Sequence, residues 1–597
     1  MNEYVLIISI GPVQGFIAAA RRSRDLWSGS WLLSEMAKAC AYSLHKQKVE
    51  LIFPAPKNPE QDLQADSDLS VGNKIQVLVT AKDSEQVKQI AHIAKQAAKK
   101  RFVEVAEQAK KSLSASALRD SIWNTQIDDY VEAQAAWVVI TQERGYAAAC
   151  DLAGSVLAAR KATRDFSPSA LSATDSRFML PKSSLDGARE TVLQEEKSLS
   201  GTSRRKLGLS ESEQLDCAGI AKRLGGNTDQ FTPFSRIAAH SWLKTLNDDE
   251  LAILRKVYEP LIALDLATRV SGNNGLYKTL PYDAQYCYAF RLEAAIRDNK
   301  NEANCSDVLQ ILLDTLKPLW RKYGQPCAYG VLLLADGDRM GELLDKAKDK
   351  KIHQTITQAL SAFAASVKTT VQQYEGHAIY AGGDDVLAFV PLNTAQECAK
   401  ALSVSFNTAL KAVANELNAT PPTLSVGLGI SHIMEPLGNI RELAKKAEKV
   451  AKGDAYDKPE QRNALGITLD VRSGSTTNLR MRWDDTNGLK AFSDWINAYS
   501  KKTIPSRIAY DTRNVHTRTL FALTGMPELG IPQAEFKRML EHARTQGGEQ
   551  LTKENRELLE SRAKDLGFNK LDELANELII ARWFAAKTSR DTGDKGA

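Results

Sequence analysis

Tyr4–Ile10 is an unbroken apolar run rich in β-branched residues, the pattern of a strand buried on both faces. Gly11-Pro12 ends it. Phe16, Ala20, Trp27, Trp31 and Met36 then recur near helical spacing from about Val13 to Lys48, interrupted by the small residues Ser28-Gly29-Ser30. Strands follow at Lys74–Thr80 and Ala136–Thr141, with a long helix near Ser84–Ser114 between them. This alternation predicts a ferredoxin-like α+β sheet. Pro168–Ser203 is rich in Ser, Asp, Gly and Lys and predicts loops, and about Glu211 to Leu316 predicts helices. A second α/β pattern starts at Tyr329. It comprises a strand at Gly330–Ala335, a helix over 339–373, a hairpin of His377–Tyr380 and Val386–Val390, a helix at Ala395–Leu417, a strand at Leu424–Ile430 and a helix at Ile440–Lys452. From about Thr476 the pattern is largely helical. Two blocks of similar size and order predict a degenerate internal duplication.

Composition narrows the class. A hydrophobic share of 43% with 25% charged residues over 597 residues fits a soluble multidomain globular protein and excludes rods and global disorder. A net charge of +5 is too small at this length to identify a nucleic-acid partner. The seven cysteines are scattered, and the absence of any C-x-x-C argues against a zinc site. No apolar run approaches the roughly 18 residues of a membrane span. Tyr4–Ile10 is short and lacks a basic flank, so no signal peptide is expected, and the expected location is cytoplasmic.

The chemistry concentrates at Gly382-Gly383-Asp384-Asp385, a tight turn between two apolar strands. Adjacent carboxylates in a turn repel each other unless a cation lies near, and Mg²⁺ or Mn²⁺ takes such oxygen ligands together with substrate phosphates. Asp336-Gly337-Asp338-Arg339-Met340-Gly341 supplies a second acidic loop at the end of an apolar strand. In a ferredoxin-like sheet that strand lies beside the acidic hairpin, so Asp336 and Asp384 would share two cations, with Asp385 tuning the site. Backbone N–H groups of Gly337–Gly341 at a helix start would hold phosphates. Lys445, Lys446, Lys449 and Lys452 lie on the last helix of the block, and Lys449 and Lys452 are the ones expected to reach a triphosphate. The bland alternative is that both acidic stretches are surface turns. Their common setting on apolar strands of one block argues against it.

These two acidic motifs resemble the palm domain of polymerases and nucleotidyl cyclases. Ile10–Ile17, Ala20–Ser30, Leu157–Phe166, Glu213–Cys217 with Lys222-Arg223, and Arg462–Leu465 extend the resemblance over essentially the whole chain. Together they are similar to the large polymerase/cyclase subunit of type III CRISPR effector complexes, Cmr (III-B) branch. The resemblance implies a degenerate palm over 1–205, a helical domain over 206–318, a catalytic palm over 319–475 and a helical C-terminal domain over 476–597. Asp336, Asp384 and Asp385 would be the metal and catalytic residues. Gly337, Asp338, Gly341, Gly382, Gly383, Lys449, Lys452 and Gly11 would contact nucleotide. The implied activity converts ATP into a cyclic oligoadenylate messenger when target RNA binds, with guide crRNA and the other complex subunits as partners. The same motifs accommodate the joining of AMP to S-adenosylmethionine, or a scaffold role at the guide-RNA end. No histidine is followed by Asp, so no histidine–aspartate DNase is expected. A diguanylate cyclase fits less well, because Val386-Leu387 follows Asp385. Arg21, Arg22, Arg24, Arg160, Lys161 and Arg164 form the clearest basic clusters, for RNA, phosphate or a neighbouring subunit.

Overall fold

In the computed structural model, all residues are described except 164–179, 196–198, 211, 227–230, 271, 273–274, 473, 526–529, 546 and 594–597. Arg164 therefore lies outside the described residues.

The first α/β unit runs β1 (Asn2–Gly11), α1 (Ser23–Lys46), β2 (Glu50–Phe53), β3 (Lys74–Ala81), α2 (Ser84–Lys111), β4 (Glu132–Val139) and α3 (Gly145–Ala162). Its sheet order is β2-β3-β1-β4, with β1 antiparallel to both neighbours. That is the ferredoxin-like arrangement. The helical pattern from Val13 divides in two: a short helix at Gln14–Ala18, then α1. Asp25 fixes the start of α1 by accepting from the Arg21 and Arg22 amides, each at 3.1 Å. Ser28-Gly29-Ser30 does not interrupt α1. The missing side chain at Gly29 leaves room for Lys222, whose buried ammonium donates to the carbonyls of Ala19 (2.8 Å) and Phe16.

A helical segment follows, including α4 (Phe234–Leu243), α5 (Asp248–Ala263) and α6 (Ala303–Tyr323). It packs on one face of the second unit: the Phe234 and Phe389 rings stack at 4.6 Å, and a Cβ on Gly330 would lie 2.5 Å from the Phe234 ring.

The second unit runs β5 (Tyr329–Asp338), α7 (Lys350–Gln373), β6 (His377–Gly382), β7 (Asp385–Val390), α8 (Ala395–Glu416), β8 (Thr423–His432), α9 (Leu437–Lys452), β9 (Ala464–Leu469) and β10 (Thr477–Arg482). Its sheet order is β10-β9-β8-β5-β7-β6, so β8-β5-β7-β6 repeats the first unit and β9 and β10 extend it. β10 pairs antiparallel with β9, so the sheet runs past the boundary expected at 475. Val331, Leu333, Ala335, Val426 and Leu428 project to the face covered by α7 and α8. The C-terminal helices share this core: Trp495, Phe492 and Phe584 are buried in it, and Trp583 lies edge-on to Tyr329 at 4.4 Å. The two units touch where Gln354 of α7 donates to the Leu51 carbonyl (3.0 Å) and His353 meets the Tyr146 hydroxyl (3.0 Å). Among the described residues no helix is long and apolar enough to cross a membrane.

Candidate active site at the acidic end of the second sheet

β5 continues through Asp336 to Asp338, paired with Ser425 and Thr423 of β8. On its other side the pairing with β7 ends at Ala335 and Val386. The β6–β7 hairpin closes at Gly382 and Asp385, so Gly383-Asp384 is a two-residue turn, with Gly383 at φ +75°, where glycine is favoured. Continuing the β5–β7 register, the next step puts Asp336 opposite Asp385 on one face and the step after puts Gly337 opposite Asp384 on the other. Contacts agree with this. The carboxyls of Asp385 and Asp336 lie within hydrogen-bonding reach of each other, and a Cβ on Gly337 would lie 2.7 Å from the Cβ of Asp384. The two turn aspartates thus reach the end of β5 from opposite sides of the pleat, and Asp385 rather than Asp384 meets Asp336 directly.

A hydrogen bond between two carboxyls requires a proton on one of them. Burial of its carboxyl, the bond to Asp336 and the charges of Asp384, Asp336 and Glu448 push Asp385 up to about 8. The residue's outer surface is exposed, but neighbouring atoms strip water from the carboxyl itself. Burial, followed by the charge of Asp336, also raises Asp384. The Tyr380 ring lies over Gly382, where any Cβ would collide with its hydroxyl, and burial beside Asp385 and Asp384 raises that phenol too.

α9 brings the positive charge. It sits directly on the sheet because β8 and β9 present glycines to it. A Cβ on Gly429 would lie 2.7 Å from the Ala444 nitrogen, and Cβ atoms on Gly427 and Gly466 would collide with the backbone at Glu448 and Ala447. On this floor Lys452 extends to Asp336 Oδ2 at 2.7 Å and to Glu448 Oε1 at 2.6 Å. Burial alone would lower the Lys452 ammonium, but its hydrogen bonds to Asp336 and Glu448 outweigh that and raise it. Lys449 is exposed on the same helix.

The other expected residues separate. Asp338 turns into the protein and accepts from Thr423 Oγ1 (2.8 Å), Ser425 Oγ (2.8 Å) and the Asn463 amide (3.1 Å), tying β5 to β8 and to the start of β9. Gly341 faces open space, and the helix after Asp338, Met340–Leu344, has only five residues. Gly11 is remote in sequence and lines a cavity of about 240 Å³ with Ser9, Pro12, Gln134 and Lys161. Glu448 and Tyr380 join the site without having been singled out in the sequence. The signal for Glu448 was its position one turn before Lys452, on a helix facing the alternating glycines of Leu424–Ile430. Among the described residues no three of His, Cys, Asp and Glu stand in a metal-holding arrangement.

Comparison with known proteins places this geometry. The family described as Cas10/Cmr2, second palm domain, matches residues 328–465, which span every residue of the acidic cluster. The family described as CRISPR-associated protein Cmr2, N-terminal, matches residues 5–107. Both matched stretches thus carry Cas10/Cmr2 family descriptions. The CRISPR system Cmr subunit Cmr2 of Pyrococcus furiosus is 26% identical over 342 residues, covering 52% of this chain and 38% of that protein. The chain thus matches well under half the length of that Cmr2. The fold also resembles type III-B Cmr-beta structures in the apo state and bound to cognate target RNA, each with a TM-score of 0.59 at 13% identity. These cover 90% of this chain and 77% and 78% of those chains.

Proposed function

We propose that the acidic end of the second sheet transfers an adenylyl group from ATP, making an adenylate messenger of the cyclic oligoadenylate type when the chain, assembled with guide crRNA and the other type III subunits, engages target RNA. The observation that carries this reading is the meeting of Asp336 and Asp385 across β5 and β7 with the Lys452 ammonium beside them. The donor set is all oxygen, and burial together with three neighbouring carboxylates against the single Lys452 ammonium raises Asp385, a balance that suits Mg²⁺ or Mn²⁺. Asp336, Asp385 and Asp384 would hold the cations, which when bound neutralise phosphate charge and activate a hydroxyl.

The chain's own residues do the positioning. The two-residue Gly383-Asp384 turn sets both carboxylates at the edge of the sheet, and glycine at 337 lets Asp384 close against β5. Lys452 and the exposed Lys449 offer ammonium groups to the triphosphate. A ribose 2′- or 3′-hydroxyl attacks the α-phosphorus, the bond to the bridging oxygen of the β-phosphate breaks, and pyrophosphate leaves. The hydroxyl proton passes to a carboxylate of the cluster. Most of the acceleration comes from alignment and charge neutralisation.

The test is to incubate the assembled complex with guide, matching target RNA, Mg²⁺ or Mn²⁺ and ATP, with and without S-adenosylmethionine, and to identify products by mass spectrometry. A target-dependent adenylate product that vanishes in Asp336→Ala is expected. An AMP–methionine conjugate would keep the site and change the acceptor. Undiminished product in Asp336→Ala would overturn the assignment.

A further inference from the structure

We propose that the Lys452 ammonium is a built-in stand-in for the divalent cation, and that the phosphates of a nucleoside triphosphate open the site by drawing it off Asp336. This rests on the nucleotidyl-transfer reading above and adds how the site stays shut when no nucleotide is bound.

Lys452 Nζ bridges Asp336 Oδ2 and Glu448 Oε1 at 2.7 and 2.6 Å. A divalent cation using Asp336 needs that oxygen at roughly 2.1 Å, in space the ammonium already fills, and the two like charges repel. Only the side chain is free to move. The α9 backbone is seated on Gly427, Gly429 and Gly466, and the helix ends at Gly453 in a left-handed conformation immediately after Lys452. The lysine stem is flexible and its side chain is 24% exposed, so the ammonium swings toward solvent, where triphosphate oxygens would receive it. Glu448, 14% exposed and four residues before Lys452, holds the ammonium over Asp336 until then. Nucleotide and cation consequently bind with positive coupling, each removing the obstacle to the other.

The experiment titrates Mn²⁺ into the full chain and follows free Mn²⁺ by electron paramagnetic resonance. It is run without nucleotide and with α,β-methylene-ATP, correcting for Mn²⁺ held by the nucleotide alone. Lys452→Met is expected to bind Mn²⁺ about ten-fold or more tightly than the wild type without nucleotide, a typical coupling between sites. The analogue should tighten the wild type by a similar factor and Lys452→Met by less than about three-fold. Asp336→Asn should weaken binding in every case. If Lys452→Met binds Mn²⁺ no better than the wild type while Asp336→Asn binds worse, the carboxylates hold metal but Lys452 does not block it. If Asp336→Asn changes nothing, the cation site itself is misassigned and the proposal falls with it. Thermal melts check that the variants fold, and Lys452→Gln replaces Lys452→Met if the latter does not.

Discussion

The two α/β units share one topology and differ at their ends. In the first sheet the last β1–β3 pair is Ser9 with Lys74, and residues 54–73 connect β2 to β3. In the second the corresponding place is held by Asp336 and Asp385, and a two-residue turn joins β6 to β7. The helix after the fourth strand differs as well. α3 rests on side chains, with Ala149, Ala153 and Leu157 against Val5, Ile7, Ala136 and Val138. α9 rests on glycines and reaches the sheet itself. Each helix ends in basic residues near the first strand's end: Lys161 lines the cavity that includes Ser9, and Lys452 pairs with Asp336. A common scaffold thus becomes a charged site through two substitutions at strand ends, one shortened loop and a glycine floor. Fold and chemistry are written at different positions.

The sharpest break of this comparison is to remove a carboxylate from one unit and a charge from the other. Asp336→Ala should lower adenylate formation by about 10³-fold or more, the scale of losing preorganised charge at a reacting phosphate. Lys74→Ala, at the matching place in the first sheet, should stay within about three-fold. Product assays on complexes of equal subunit composition decide it, and equal losses would mean that the first sheet carries chemistry too.

The glycine floor comes next. Gly466→Val puts a side chain into the backbone of α9, so it should destabilise the chain by about 3 kcal/mol or more. A thermal melt reads it directly. An unchanged midpoint would show that α9 is not held against the sheet as tightly as the geometry requires.

Within the second unit, Asp336 and Asp338 should divide function from structure. Asp338 is 2% exposed and surrounded by donors from Thr423, Ser425 and Asn463, so Asp338→Ala should cost about 2–4 kcal/mol through unpaired buried groups. Asp336→Asn should cost little stability and most of the activity. Chemical denaturation beside the product assay tests this ranking, and the reverse order would exchange the two roles.

Much of this division is visible in the sequence, and the reason it stops is physical. The inner strands are legible because apolar runs such as Tyr4–Ile10 and Gly330–Ala335 have one environment and one period. β2 escapes because it is a four-residue edge strand, and β10 because only Leu479 and Met481 of Thr477–Arg482 are apolar and turn inward. The aspartates are conspicuous because two acidic loops on apolar strands are electrostatically costly without a partner. Glu448 is not, since in Lys445–Lys452 it reads as one more charge on a solvated face. Its role exists only because Gly427 and Gly466, distant in sequence, let the helix descend. Asp338 looks equivalent to Asp336 in sequence and differs only through the hydroxyls of Thr423 and Ser425, which strand pairing brings to it.

The smallest effect probes the acidic pair without catalysis. A carboxyl raised in the folded state to about 8 binds its proton more tightly there than in the unfolded chain, where aspartate lies near 3.9. Its contribution is therefore fully present below about pH 4 and is lost as pH rises from there through about 8. Because Asp385 is exposed at its outer surface, the coupling is partly screened by solvent, and the change in melting midpoint should be no more than a few degrees. In chelator, Asp385→Asn should remove this slope and equal or exceed the wild type in stability above pH 8. The matching pair in the first sheet, Ser9 and Lys74, has no carboxyl, so Ser9→Ala should leave the slope between pH 4 and 8 unaltered. Melts of the three proteins across that range make the comparison. A wild-type slope that persists in Asp385→Asn would place the titrating group elsewhere and remove the main electrostatic mark of the acidic end.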